Sequence, residues 1–123
     1  MAINSQKLGY ILKNFVAGTA DVEGVAIVTP DGLPLASSLP GNMDEERVSA
    51  MSAAMLSLGE RIGKELVRGD IDRIYVEGEQ GFSILTSCGE DAVFLVLASK
   101  AAKQGVLMLE IKRALTELKP ALA

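Results

Sequence analysis

The stretch DEERVSAMSAAMLSLGERIGKELVR, residues 44–68, decides how this chain folds. Asp44 is a good N-cap, and Glu45 and Glu46 follow where the helix dipole favours negative charge. Gly69 is a natural stop. The segment therefore predicts one long helix, far longer than the elements around it. At 100° per residue, Val48, Met51, Met55, Leu58, Ile62 and Leu66 form a stripe of large apolar side chains, expected to cover a sheet. Ser49, Ser52, Leu56, Gly59 and Gly63 form a second, mostly small stripe, about 100° round the helix. Two glycines inside a helix cost about 1 kcal/mol each relative to Ala. Such a cost is tolerated where another backbone comes close. The plain reading puts the glycines beneath a bulky side chain of the same chain. The reading favoured by the sequence puts a second helix of the same kind against the small stripe.

The flanking elements give the helix its context. Leu8, Ile11, Leu12, Phe15 and Val16 recur at helical spacing and predict a helix over 4–18, capped by Asn4 or Ser5. GVAIVT at 24–29 is a short apolar run suited to a strand covered on both faces. PDGL at 30–33 is a turn in which Pro30 presets φ and Gly32 accepts positive φ. LPLASS at 33–38 returns, with Pro34 confining it to a sheet edge. After the long helix, DIDRIYVEG at 70–78 alternates, with Ile74 and Val76 on one face and Arg73, Tyr75 and Glu77 on the other. GEQG turns it into GFSILTSC at 81–88, and CGED turns that into the wholly apolar AVFLVLA at 92–98. A last helix is expected at about 103–118.

The order is α-β-β-α-β-β-β-α, an α+β fold. Every strand-to-strand link is short enough for a hairpin, so the five-stranded sheet is mostly antiparallel. The strands at 24–29 and 92–98 belong together in the middle. Those at 33–38 and 70–78 form the edges. The 70–78 edge has no proline and an Ile-Tyr-Val middle, so it calls for a pairing partner. A two-fold axis that joined this edge to its copy, through Arg73 and Tyr75, and paired the second helices would satisfy both oddities at once.

Composition excludes several classes of function. The chain has 123 residues, the size of one domain spanning 1–123, and 49% of them are hydrophobic, enough for a core. A net charge of −4 without a Lys/Arg cluster argues against nucleic acid. One cysteine and no histidine exclude a disulfide scaffold, a Cys/His zinc site and a Cys–His dyad. No apolar run approaches the roughly 20 residues of a membrane helix, and MAINSQKLGYILKNFV lacks a signal-peptide core. A cytoplasmic location without membrane insertion is the simplest expectation. No GxxxxGK[ST] loop is present, so GTP binding by the chain itself is not expected. Asp44, Glu45 and Glu46 read as caps, Asp70 and Asp72 as solvated, and Glu90 and Asp91 as turn residues. Cys88 reads as a packing residue, and Ser37, Ser38 and Ser87 have no base to activate them. No enzyme activity, cofactor or metal is expected.

VEGVAIVTPDGLPLASS, the long small-residue helix, and DIDRIYVEGEQGFSILTSCGEDAVFLVLAS together resemble the Roadblock/LC7 family over about residues 4–118. The resemblance implies a profilin-like arrangement, with helices 1 and 3 on one face of the sheet and helix 2 on the other. It implies dimers that join edge strands and pair their second helices. It also implies non-catalytic roles: binding small Ras-like GTPases, scaffolding assemblies, or adapting cargo to dynein. Bacterial members similar to this chain regulate a small GTPase, in some cases stimulating its GTP hydrolysis. The expectation is a homodimeric regulator or scaffold. Its own interface would use Ser49, Ser52, Leu56, Gly59, Gly63, Arg73 and Tyr75. Its GTPase platform would use Ala50, Ala53, Ala54, Ser57, Arg61 and Lys64. Arg47, Arg61 and Arg68 could supply an arginine finger, but a solvated charged face explains them more simply. Stimulation, on this resemblance, works by positioning the GTPase's own switch residues. The rival expectations are a small-molecule sensor and a nucleotide-blind assembly scaffold.

Overall fold

The computed structural model describes residues 3–122. It runs α1 (Ser5–Gly18), β1 (Val22–Val28), β2 (Pro34–Ser38), α2 (Glu45–Glu65), β3 (Arg73–Gly78), β4 (Gly81–Ser87), β5 (Val93–Ser99) and α3 (Gln104–Leu122). All pairings are antiparallel, in the order β2-β1-β5-β4-β3. The expected order, central pair and edges are all present. β1 and β5 run side by side, with Val25 opposite Val96 and Ile27 opposite Phe94. β2 and β3 lie at the two edges.

Alternation along the central strands splits the core in two. Val25 and Ile27 of β1, Phe82 and Ile84 of β4, and Phe94 and Val96 of β5 meet Leu8, Leu12 and Phe15 of α1 and Leu107, Ile111 and Leu118 of α3. Phe15 and Phe94 pack edge to face at 5.6 Å. On the opposite face, Ala26, Val28, Leu85, Val93 and Leu95 meet Val48 of α2, with Met55 and Leu56 partly buried beside them. Burying each such aliphatic side chain contributes about 1.5–3 kcal/mol, so the face beneath α1 and α3 holds the larger share of the core.

The caps follow the sequence. Asn4 Oδ1 accepts from the Lys7 amide at 3.0 Å, and Asp44 Oδ1 accepts from the Glu46 amide at 3.1 Å. In the β1–β2 turn, Gly32 has φ +94° and its amide donates to the Thr29 carbonyl at 3.0 Å.

β1 begins at Val22 and β3 at Arg73, against the expected 24 and 70, and two helix ends differ as well. Helix α3 runs to Leu122, through Pro120 in its last turn. Leu118 and Ala121 are buried, and the Asn4 amide donates to the Ala121 carbonyl at 3.1 Å. Packing against α1 thus carries the helix past the point where proline would ordinarily stop it. Helix α2 ends at Glu65, not Arg68, because Val67 turns to φ +55°. The Arg68 and Gly69 amides then both donate to the Gly63 carbonyl, at 2.7 and 3.0 Å.

Candidate functional site

The outer surface of α2 and the free edge of β3 are the candidate site. The expected dimer stripe, Ser49, Ser52, Leu56, Gly59 and Gly63, does not face outward. Ser49, Ser52, Gly59 and Gly63 are buried against the sheet of their own chain, and Leu56 is half-buried beside them. The small stripe is the packing face, and the plain reading of the glycines is the right one. A Cβ added at Gly59 would stand 2.5 Å from Ile74 Cδ1. One added at Gly63 would collide with the Gly69 carbonyl oxygen and stand 2.9 Å from Ile71 Cδ1. Ile71, Ile74 and the loop ending at Gly69 already fill the space over this end of the sheet, so only a helix without side chains there can lie down on it. The two serines are buried without loss because each hydroxyl donates back one turn. Ser49 Oγ reaches the Glu45 carbonyl at 2.8 Å, and Ser52 Oγ the Val48 carbonyl at 2.9 Å.

Docking by the small stripe leaves the large one uncovered. Of the six residues expected to cover the sheet, only Val48 is buried, and Met55 is half-buried. Met51 is 59% exposed, Leu58 59%, Ile62 45% and Leu66 63%. Their positions, together with Met55, step by 4, 3, 4 and 4 residues, so they hold one line along the helix. The first four positions have the spacing of a helix–helix seam. Val76, on the same face of the sheet as Ile74, is 49% exposed, and Tyr75 on the other face is 42% exposed. Arg73 is also exposed and pairs with Asp72 at 3.0 Å. The outer edge of β3 has no neighbouring strand. Exposed apolar side chains next to an unpaired strand edge form an interaction surface by the ordinary criteria.

The proposed platform residues lie elsewhere on the helix. Ala50, Ala54, Ser57, Arg61 and Lys64 are exposed on the side turned away from the sheet, and Ala53 is half-buried. A Cβ at Gly32 would be 3.5 Å from Ala53 Cβ and 3.7 Å from Ala50 Cα, so the β1–β2 turn borders this side. Arg61 Nε meets Glu65 Oε2 at 3.1 Å, both well exposed, and Arg68 Nε donates to the Leu66 carbonyl at 3.1 Å. Exposed apolar residues outside the expected site set are Met51, Leu58, Ile62, Leu66, Val67 and Val76. The signal that could have found them is the heptad-like spacing of the large stripe, which suits a partner helix as well as a sheet.

A family model described as Roadblock/LC7 domain matches residues 9–98. The chain belongs to the Roadblock/LC7 family. The family is regulatory in character rather than catalytic. Uncharacterized protein MJ0714 of Methanocaldococcus jannaschii is 35% identical over 101 residues, covering 82% of this chain and 85% of that protein. MglB of Myxococcus xanthus is similar with a TM-score of 0.88 at 19% identity, covering 98% of this chain and 90% of that one. Profilin II of Acanthamoeba castellanii is similar with a TM-score of 0.64 at 17% identity, covering 89% of this chain and 94% of that one. At those identities the two structures speak for the fold, a profilin-like sheet with Roadblock helices.

Among the described residues no group of three or more His, Cys, Asp or Glu could hold a metal ion, and no helix is long and apolar enough to cross a membrane. Cys88 is buried, and burial pushes its thiol up to about 11, against a small opposing influence from Lys119. A groove of about 300 Å³ between α1 and α3 is lined by Lys7, Tyr10, Glu110, Arg113 and Glu117 among others. Ile11, Phe15 and Ala114 contribute apolar walls to the same groove.

Proposed function

We propose that this Roadblock/LC7 protein is a homodimeric regulator or scaffold for a small Ras-like GTPase, with stimulation of GTP hydrolysis as the strongest form of that role. The observation that carries the proposal is the exposed line Met51-Leu58-Ile62-Leu66, taken together with the unpaired edge of β3. A two-fold axis would lay this line against its copy and let β3 pair with β3, through the strand that carries Arg73 and Tyr75. The self-contacts are thereby moved from the small stripe, which is buried at home, to the large one. The partner GTPase would then dock on the outward side of the paired helices, at Ala50, Ala53, Ala54, Ser57, Arg61 and Lys64. Small side chains there admit close approach, and the charges set orientation and association rate. Family membership supports the regulatory part of this reading.

The test is capture from native lysate with the purified protein as bait, once with a non-hydrolysable GTP analogue and once with GDP. A small GTPase enriched with one nucleotide and lost with Ala54→Arg is the expected result. Equal recovery with both nucleotides would leave a nucleotide-blind scaffold, and recovery of no GTPase would contradict the proposal.

A further inference from the structure

We propose that Lys100 is a charge-dependent clamp that keeps the tip of the β3–β4 hairpin, and with it the open edge of the sheet, in order. Lys100 directly follows the last residue of β5. Its Nζ donates to Glu77 Oε2 at 2.6 Å and to the Gly78 carbonyl at 3.2 Å, both in β3. The same ammonium lies 5.1 Å from the centroid of the Phe82 ring in β4. One side chain thus reaches from the end of β5 across β4 to β3.

The register explains the reach. Glu77 stands opposite Phe82, and Phe82 opposite Ala98. Residues paired in this way share a face of the sheet. Glu77 and the Phe82 ring therefore lie side by side, and Lys100, two residues past Ala98, closes the row from its end. The base of the clamp is fixed. The Ser99 amide donates to the Asp21 carbonyl at 2.8 Å, and Ser99 Oγ to Asp21 Oδ1 at 3.2 Å. Asp21 accepts both with φ +68°, a shape that aspartate adopts more readily than most residues. The Ala102 amide donates to the Ser99 carbonyl at 3.1 Å and completes the turn.

Only one end of β3 needs such a tie. Its first half carries Ile74, half-buried and close to Gly59 of α2, and just before it the Asp72 carbonyl accepts from the Ser87 amide at 3.2 Å. The second half, Val76–Gly78, is exposed, and no strand pairs with its outer side. Among the described residues, Lys100 is the only side chain from outside the hairpin that hydrogen-bonds this half. Strand ends with few buried contacts open locally, well below the free energy of global unfolding.

Glu77 and Lys100 are both partly exposed, so each contact is modest, and the ion pair and the ring contact both need the positive charge. Loss of that charge releases the two together. The clamp is thus open to control by salt, which screens it, and by acylation of the amine, which neutralises it. An edge ordered in advance loses less freedom when a further strand adds to it, so the clamp sets how ready this edge is for pairing.

The test is hydrogen exchange, resolved by segment, on wild type, Lys100→Gln, Lys100→Arg and Glu77→Gln, at two protein concentrations about tenfold apart. Lys100→Gln and Glu77→Gln are expected to speed exchange over residues 75–82 about fivefold, with β1 and α1 within about twofold of wild type. Lys100→Arg keeps the charge and should keep wild-type protection. Salt at about 1 M should speed the same segment in wild type and leave Lys100→Gln unchanged. Exchange over 75–82 that stays within about twofold of wild type in Lys100→Gln would overturn the clamp. So would a rise shared equally by all segments, which would show a loss of overall stability. A difference present at one concentration alone would overturn it too, because that protection would belong to association rather than to Lys100.

Discussion

Helix α2 carries two apolar stripes, and they have exchanged the roles that their side chains suggest. The small stripe, Ser49, Ser52, Gly59 and Gly63, is the one buried against the sheet. Large residues, Met51, Leu58, Ile62 and Leu66, face out. The difference teaches that side-chain size alone does not say which face of a helix is the core. What decides is how much room the opposing surface leaves. Here Ile71, Ile74 and the Gly69 carbonyl take that room first, and the helix must come close with backbone. The large residues are thereby left exposed. Substitutions on the two stripes should consequently fail in different ways.

The largest effect is expected on the buried stripe. Gly63→Val forces carbon onto the Gly69 carbonyl oxygen, and backbone cannot yield without undoing the end of α2. A loss of about 3 kcal/mol is expected, read as a lower urea midpoint. On the exposed stripe, Leu58→Glu should leave the folding of the single chain within about 0.5 kcal/mol while abolishing the dimer. The readouts separate: the first variant unfolds, the second stays folded and alone.

Cys88 gives a smaller effect, outside α2. Its pKa is raised from 9.0 to about 11 in the folded state. The unfolded chain therefore loses this proton first. The group's contribution to stability is intact below pH 9 and declines as pH rises from 9 towards 11. Cys88→Ala should remove that part of the alkaline decline, measured as the difference between the two unfolding curves.

Gly59→Ala sharpens the comparison within one stripe. Its Cβ meets the end of the Ile74 side chain, which can move, unlike the backbone above Gly63. The gain of about 1 kcal/mol in helix propensity should largely offset the crowding, leaving a change within about 1 kcal/mol by urea denaturation. The smallest effect belongs to Arg61→Ala. It breaks only the exposed pair with Glu65 and should change stability by no more than about 0.5 kcal/mol.

Much of the fold was legible because local signals agreed with the global arrangement. Pro34 marked an edge, the apolar runs of β1 and β5 marked the centre, and Asn4 and Asp44 marked helix starts. Features that depend on distant contacts were not legible. The end of α2 is set by the Gly63 carbonyl receiving two loop amides, and the end of α3 by Asn4 holding Ala121. Neither is written in a short window of sequence. The candidate surface was expected on α2 and the β3 edge, from the glycines and from the Ile-Tyr-Val edge. Its residues were exchanged because an amphipathic helix is read by default with its large side chains inward.

Sedimentation equilibrium of wild type and Leu58→Glu, each with a circular dichroism spectrum to establish folding, tests most directly whether the exposed stripe is covered by a second copy. The account predicts a wild-type dimer and a folded, monomeric Leu58→Glu chain. A wild-type monomer, or a Leu58→Glu chain that remains dimeric, would contradict it.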